Sequence, residues 1–428
     1  MGLIKKEFSK ISIGKETTVG TAATRTHRVP GTDFAYIQEE PTKSELGVIT
    51  GRNSSSGYSL DAIDYSAELQ TLLMANHANY FLLHSLFGAP VTTVQVGAAI
   101  GISYNGAAES CKLEVASGSI KASVGAKGAE APDPNFGEDG TIAISASSTV
   151  ATIMAAINGE SDYSAVLLNG TSTDEFKAAV VIARAQAKGR IVPVFAASST
   201  SGVYAHFFRP NYTNGENPTV SLQTDGTGDN QLGVGGAVNT MSLSGSAKEK
   251  MTVSWNLLFL SVIGGQTTTT LTLLDEDLEA MKFSEGFTGI AGVKWCFIKN
   301  LSLELNNNIA TDEGYCQGTF NKQQHVRGKF AATGSMTISV TDDGKSETEK
   351  AKVLSDGESS LLALYRGRIL KDGLNSMLFF DLPVIQYTTY SKSATDTSLE
   401  QSMDFEAVDL GGAYDDHVSV VMITDWSA

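Results

Sequence analysis

Charge is scarce in this 428-residue chain: Asp, Glu, Lys and Arg make up 18% of it, against about a quarter in ordinary soluble domains. The charge that is present leans one way, with 31 Lys and Arg against 47 Asp and Glu and a formal net charge of -16. A protein that grips nucleic acid needs the opposite balance, because neutralised phosphates supply most of its affinity. Cysteine falls to three residues, Cys111, Cys296 and Cys316. An odd number without a CxxC pair excludes a disulfide framework and a zinc knuckle. No apolar run approaches the ~20 residues of a membrane-spanning helix; the longest covers 257–265. The opening MGLIKKEFSK has no apolar signal core, and Lys6 stands where a myristoylation pattern requires Ser or Thr. These absences predict no membrane partner and folding in a reducing cytoplasm.

What the chain does have is glycine, 42 residues of it, and 42% hydrophobic residues. The hydrophobic fraction excludes whole-chain disorder, and the length predicts roughly two to four domains. Glycine, serine and threonine with little charge predict many short strands and turns. At 57–63, Tyr58, Leu60 and Ala62 alternate with Ser59 and Asp61, a half-buried strand. From Asp64 a helical period takes over, with Leu69, Leu72, Leu73, Tyr80, Leu83 and Phe87 on one stripe, stopped by Gly88 and Pro90. The stretch 91–200 is rich in Ala, Gly and Ser and reads as a small self-contained domain, with strands at 112–115, 120–124, 141–145, 165–168 and 190–195, a helix at 149–158 and a second at 173–188. A hairpin follows at 237–243 and 251–259. Its second arm, with Met251, Val253, Trp255, Leu257 and Phe259 alternating, is the clearest strand in the sequence. Later strands are expected at 295–306, 334–341, 377–387, 399–407 and 417–424, and a helix at 348–366.

Two regions share one order: an Arg and a Gly (Arg52 and Gly57, then Arg327 and Gly334), an alternating strand, a helix and a strand–turn–strand. The fold class expected is mainly β (α+β), with duplicated β-sandwich or barrel units, each flanked by one helix, and an inserted small surface domain. The first unit is assigned to 1–90 with 201–280, the insert to 91–200 and the second unit to 281–428. The insert is expected to project outward and to be dispensable. Its composition lacks the Cys…Trp…Cys spacing of an immunoglobulin domain.

Chemistry is thin. Gly14-Lys15-Glu16-Thr17 fails as a phosphate loop because Ser9 replaces the leading Gly and Glu16 follows the Lys. No GxSxG or HExxH occurs. His77 and His84 share a helix face, but a metal needs further ligands, and polar positions on an amphipathic helix explain them. The acidic turn at 133–140 has its Gly misplaced for a calcium loop. Asp275, Glu276, Asp277 and Glu279 read as a solvated face. The aromatics follow strand periods without basic interleaving, unlike a base-stacking platform. No catalytic, cofactor-binding or metal-binding residue is assigned, and no enzyme activity is expected.

The ordered set of motifs resembles the tail tube proteins of bacteriophages, the major tail proteins of long non-contractile, siphovirus-type tails. It comprises residues 14–21 (GKETTVGT), Gly51-Arg52…Gly57, the helix ending Leu86-Phe87-Gly88, residues 235–245 (GGAVNTMSLSG), residues 299–307 (KNLSLELNN) and Leu382-Pro383-Val384. The resemblance implies a structural virion protein, made in the host cytoplasm, whose rings stack into a hollow tube through which DNA is ejected. It implies homotrimeric rings with pseudo-sixfold symmetry, or plain hexamers if the repeat is false. It further implies tape measure, tail terminator and tail tip proteins as partners, with DNA passing unbound. The net acidity agrees with a non-adhesive lumen. Glu40, Asp61, Glu304 and Glu406 are the candidate lumen-facing carboxylates. Val253, Trp255, Leu257, Leu303 and Ile338 are the candidate unit core. The 1–30 arm and the long loop before Arg327 are candidate ring-to-ring contacts. The competing readings are a secreted or cell-surface carbohydrate or adhesion β-module, and another head–tail structural protein.

Overall fold

A computed structural model gives the architecture for residues 10–427, apart from 35, 46–57, 117, 178, 182–184, 212–216, 227–229, 273, 275–278, 342–343, 356, 372, 395–397 and 410–416. Arg52, Gly57 and the acids 275–277 lie outside the described residues. The chain is mainly β, 54% strand and 9% helix. Within one chain no closed barrel forms among the described residues.

Its central element is an eight-stranded antiparallel sheet. The neighbours run in the order Gln38–Glu45, Tyr58–Leu72, Thr252–Phe259, Gln231–Ser246, Ile298–Asn306, Ala331–Ser339, Leu399–Ala407 and Asn375–Ala394. The strands form because every second side chain is apolar and one face is covered. Val253, Trp255, Leu257, Leu303 and Ile338 are all buried in one core with Leu69, Met241, Met336 and Phe405. Serine, threonine and carboxylates occupy the other parity.

Two of these strands are long and bent, and they belong to two sheets at once. The first half of Gln231–Ser246 pairs with Val220–Asp225 and Ser261–Ile263; its second half joins the central sheet. The first half of Asn375–Ala394 pairs with Glu358–Ile369 and Ser419–Thr424; its second half pairs with Leu399–Ala407. Gly235, at φ +67°, sits at the first bend, where a left-handed backbone favours glycine. The wider pairing also runs in parallel. Lys10–Lys15 flanks Val220–Asp225 and pairs with His27–Val29, while Phe287–Ile290 flanks Glu358–Ile369 and pairs with Val293–Trp295.

Each half carries one helix after its central strand. Helix α1, His77–Phe87, is capped by Asn76, whose side chain accepts the Asn79 N–H at 2.9 Å, and closed by Gly88 at φ +100°. Nine of its eleven residues are buried. Helix α2, Val150–Asn158, lies in the 91–200 stretch, with Thr149 and Thr152 forming a reciprocal cap. Helix α3, Lys345–Leu354, buries only Ser346 and Glu349.

Several sequence expectations are corrected. Residues 64–72 are strand, not helix, and continue the alternation of Tyr65, Ala67 and Leu69. The helix expected at 348–366 stops at Leu354, and Glu358–Ile369 is a strand buried on both faces, which removes any alternation. Residues expected as helix at 173–188 include the short strands Ala179–Val181 and Ala185–Gln186. The 13-residue strand Thr92–Tyr104 was not anticipated.

The 91–200 stretch does not stand apart. Thr92–Tyr104 pairs with Tyr204–Phe208, and that strand pairs with Ser419–Thr424 from the C-terminal end. A second core joins Ile100, Phe195 and Ala205 to Leu362, Leu364, Met377, Phe379 and Ile423 of the second half. The Arg190 guanidinium meets the Asp381 carboxylate across this boundary, with both side chains buried. Removing 91–200 would therefore strip the second core, contrary to the expectation of a dispensable decoration.

The halves are also bridged through the long loop at 307–330. Asn307 Nδ2 donates to the carbonyls of Leu86 (3.0 Å) and Val238 (2.8 Å), and Arg327 donates to the Ser85 carbonyl at 3.1 Å. Unmet carbonyls at a helix end are costly when buried. Asn307→Ala should lower unfolding free energy by about 1–3 kcal/mol, two buried hydrogen bonds at roughly 0.5–1.5 kcal/mol each, with the Leu86 carbonyl still held by Asn217 at 2.9 Å, as read by urea denaturation.

Candidate functional site: the polar face of the central sheet

The uncovered face of the central sheet is built by parity. Once Leu301, Leu303 and Leu305 point into the core, Asn300, Ser302, Glu304 and Asn306 must point away. The same holds for Thr333, Ser335 and Thr337, for Ser402, Asp404 and Glu406, and for Ser242 and Ser244. Register then sets these residues in cross-strand rows. Ser254, Ser242, Glu304, Thr333 and Glu406 are successive partners across five strands. The next row is Thr252, Ser244, Ser302, Ser335 and Asp404. A shallow depression of about 400 Å³ lies among Ser242, Glu304, Thr333, Asp404 and Glu406.

Hydroxyls satisfy one another along these rows. Ser302 and Ser335 are 2.8 Å apart, Thr337 and Ser402 2.9 Å, and Ser244 and Thr252 2.9 Å. Thr389 donates to Asp404 at 2.5 Å. Lys299 pairs with Glu400, so that amine is neutralised where it stands. Glu304, Asp404, Glu406 and Glu68 are exposed. Such a face offers water a continuous set of hydroxyl and carboxylate partners. It presents no arginine fork and no aromatic plate in these rows, the two groups that hold phosphates and bases.

The sequence candidates fall on this face or on the ribbon that continues it. Glu304 and Glu406 flank Thr333 in one row, and Glu40 pairs in register with Asp64 on the parity of exposed Glu68. A bulge at Asp61 shifts the register there, and its carboxylate accepts hydrogen bonds from Ser44 (3.1 Å), which shares the strand face of Glu40, and from Ser59 (3.2 Å). Glu68, Glu400 and Asp404 were missed. Glu68 lay in residues read as helix; Asp404 lay two residues from Glu406 in an alternation that already exposed it.

Buried polar groups elsewhere serve the fold. Glu16 accepts from Thr219 (2.6 Å), Ser221 (2.7 Å) and the N–H of Gly235 (2.8 Å), so the residue that spoils the phosphate loop is a structural acceptor. His77 is stacked between His27 (4.2 Å) and Trp426 (3.9 Å). His206 Nε2 donates to Thr424 at 2.8 Å, since the Thr424 hydroxyl itself donates to the Trp426 carbonyl. Burial pushes His84 and His206 down to about 4. His325 is likewise held at about 4 by burial; its Nε2 donates to the Gly235 carbonyl at 2.7 Å, leaving only a buried Nδ1 to take a second proton. Burial raises the Cys111 thiol to about 12, so it is an inert core group. Among the described residues no set of three or more His, Cys, Asp or Glu could hold a metal ion, and no helix is long and apolar enough to cross a membrane.

Comparison with curated proteins finds no match. The family model described as phage tail tube protein matches residues 9–364. That span covers most of the chain, including the first half, the 91–200 stretch and the start of the second half. The chain therefore belongs to the phage tail tube protein family, structural components of the virion tail that assemble with other tail proteins into a tube.

Proposed function

We propose that this protein forms rings of three copies that stack into the tube of a long non-contractile tail, with the hydroxyl and carboxylate face lining the lumen through which DNA is ejected. One observation carries the reading: the chain already contains the joint that a ring needs. Gln231–Ser246 and Ile298–Asn306 pair across the boundary between two halves of like topology. At the ends of the central sheet, among the described residues, Gln38–Glu45 pairs only with Tyr58–Leu72, and the last part of Asn375–Ala394 pairs only with Leu399–Ala407. In the repeat these two edges are the counterparts of the joined pair. Open edges invite pairing, and joining them between copies closes three eight-stranded sheets into a barrel with pseudo-sixfold symmetry. The halves are then duplicated units, 1–90 with 201–280 and 281–428.

An acidic, hydroxyl-rich lumen suits passage. Phosphates meet like charge and water rather than lysine or arginine. Glu40, Asp61, Glu304 and Glu406 are the proposed lumen carboxylates. Tape measure, terminator and tip proteins are the partners such a tube requires, and the host cytoplasm is its place of assembly.

Electron microscopy of concentrated purified protein tests this. The expected result is hollow cross-striated tubes whose averaged end views show three large subunits. Six identical small subunits per ring, or polymers without a lumen, would overturn it.

A further inference from the structure

Both halves carry a helix after the corresponding central strand, but the two helices are held in different ways. We propose that α3 is a clasp on Asn375–Ala394, the end strand of the central sheet. In the free subunit it opens and closes as a unit of its own, and a second copy paired to that strand holds it shut. The second part rests on the ring reading above.

Helix α1 is seated by burial and tied at its C-terminal end. Nine of its eleven residues are buried, and the carbonyls of Ser85 and Leu86 accept from Asn217, Asn307 and Arg327. Helix α3 has neither support. Its sequence, KSETEKAKVL, buries only Ser346 and Glu349, while Ala351 and Leu354 are exposed. Its N-cap is Gly344, which has no side chain to meet the free N–H groups of the first turn. Isolated helices below about 12–15 residues are marginal in water, so these ten residues hold only through their seat.

That seat is polar. The Glu349 carboxylate accepts from Ser359, Tyr387 and Lys352, each at 2.7 Å, and Gln401 Nε2 donates to the Ser346 carbonyl at 3.1 Å. The Ser346 hydroxyl, the Gln401 amide oxygen and the Tyr390 hydroxyl are buried without hydrogen-bond partners among the described residues. Buried groups left unpaired oppose the closed state, and opening gives them water. Three contacts of α3 end on the last part of Asn375–Ala394: Tyr387 with Glu349, Lys392 with Glu347 at 3.1 Å, and the Tyr390 ring under the Lys350 amine at 5.8 Å. Among the described residues that stretch otherwise pairs only with Leu399–Ala407. Helix α3 therefore sets how firmly the free edge is held. A neighbour that pairs with the edge in its held form binds the closed state more tightly and shifts the population toward it.

Hydrogen exchange on the full-length protein tests this, with α1 as the internal reference. In the unassembled subunit, amides of Thr348–Leu354 should exchange roughly a hundredfold faster than those of Phe81–Phe87, at rates that sub-denaturing urea leaves unchanged, the mark of local rather than global opening. Ser346→Ala with Gln401→Leu replaces two of the unpaired groups by apolar ones and should slow exchange in α3 roughly tenfold, with α1 unaffected. An α3 as protected as α1, or a double variant whose α3 exchanges as fast as wild type, would overturn the clasp. In assembled tubes the wild-type α3 amides should slow by roughly tenfold or more. Tubes in which α3 exchanges as it does in the free subunit would overturn the link to edge pairing and leave the ring reading intact. Wild-type protein that forms no tube would overturn the ring reading, while the subunit comparison still decides whether α3 opens on its own.

Discussion

Asp381→Ala should lose about 3–5 kcal/mol of stability, the usual cost of leaving one member of a buried ion pair alone. Arg190 and Asp381 are 2% and 0% exposed. Burial raises the Asp381 pKa and the Arg190 charge opposes that rise, so the carboxylate depends on its partner to stay ionised. The pair joins the 91–200 stretch to the strand Asn375–Ala394, and the damage should spread through the second core rather than stay local. Arg190→Met combined with Asp381→Leu removes both charges and should recover most of the loss, because apolar replacement of a buried pair is often neutral. Urea midpoints of the single and double variants check this. A single variant as stable as wild type would mean that the stretch folds without this joint.

Acid should weaken the subunit in a defined window. His84, His206 and His325 each have a folded pKa near 4, below the ordinary value near 6.5. The folded state therefore binds fewer protons than the unfolded chain between these limits, and stability rises with pH there. It is complete above about pH 6.5 and declines as pH falls toward 4. One unit of pKa corresponds to about 1.4 kcal/mol, so the three together cost several kcal/mol by pH 4. His325 acts at the contact between the halves: its Nε2–H holds the Gly235 carbonyl, and a second proton must enter at the buried Nδ1. Unfolding free energies measured from pH 7.5 to 4.5 should show the slope, and His84→Leu should reduce it by about a third. A flat profile in the wild type would contradict the assignment of these imidazoles as buried and neutral.

Both effects depend on contacts between residues far apart in the chain, and this is where sequence reading fell short. The alternation of Val253, Trp255 and Leu257, and of Leu301, Leu303 and Leu305, is a local signal, and it placed the central strands and their outward carboxylates. The order of strand, helix and hairpin was local too. Residues 64–72 were ambiguous because Leu69, Leu72 and Leu73 fit a helical stripe as well as Tyr65, Ala67 and Leu69 fit a strand. Mistaking them also hid Glu68, since a face is known only when the period is. Glu358–Ile369 gave no alternation because both of its faces are covered. Nothing near Arg190 announces Asp381, 191 residues away. The alanine-rich composition of 91–200 suggested independence, whereas its apolar residues are shared with the second half.

The place of Ser419–Thr424 has a consequence in time. This strand is made after every other strand among the described residues, yet it lies between Tyr204–Phe208 and Asn375–Ala394 in the finished sheet. Until it arrives, the second core lacks Val421 and Ile423, and Trp426 cannot stack on His77. A nascent chain thus cannot present a finished subunit to its neighbours.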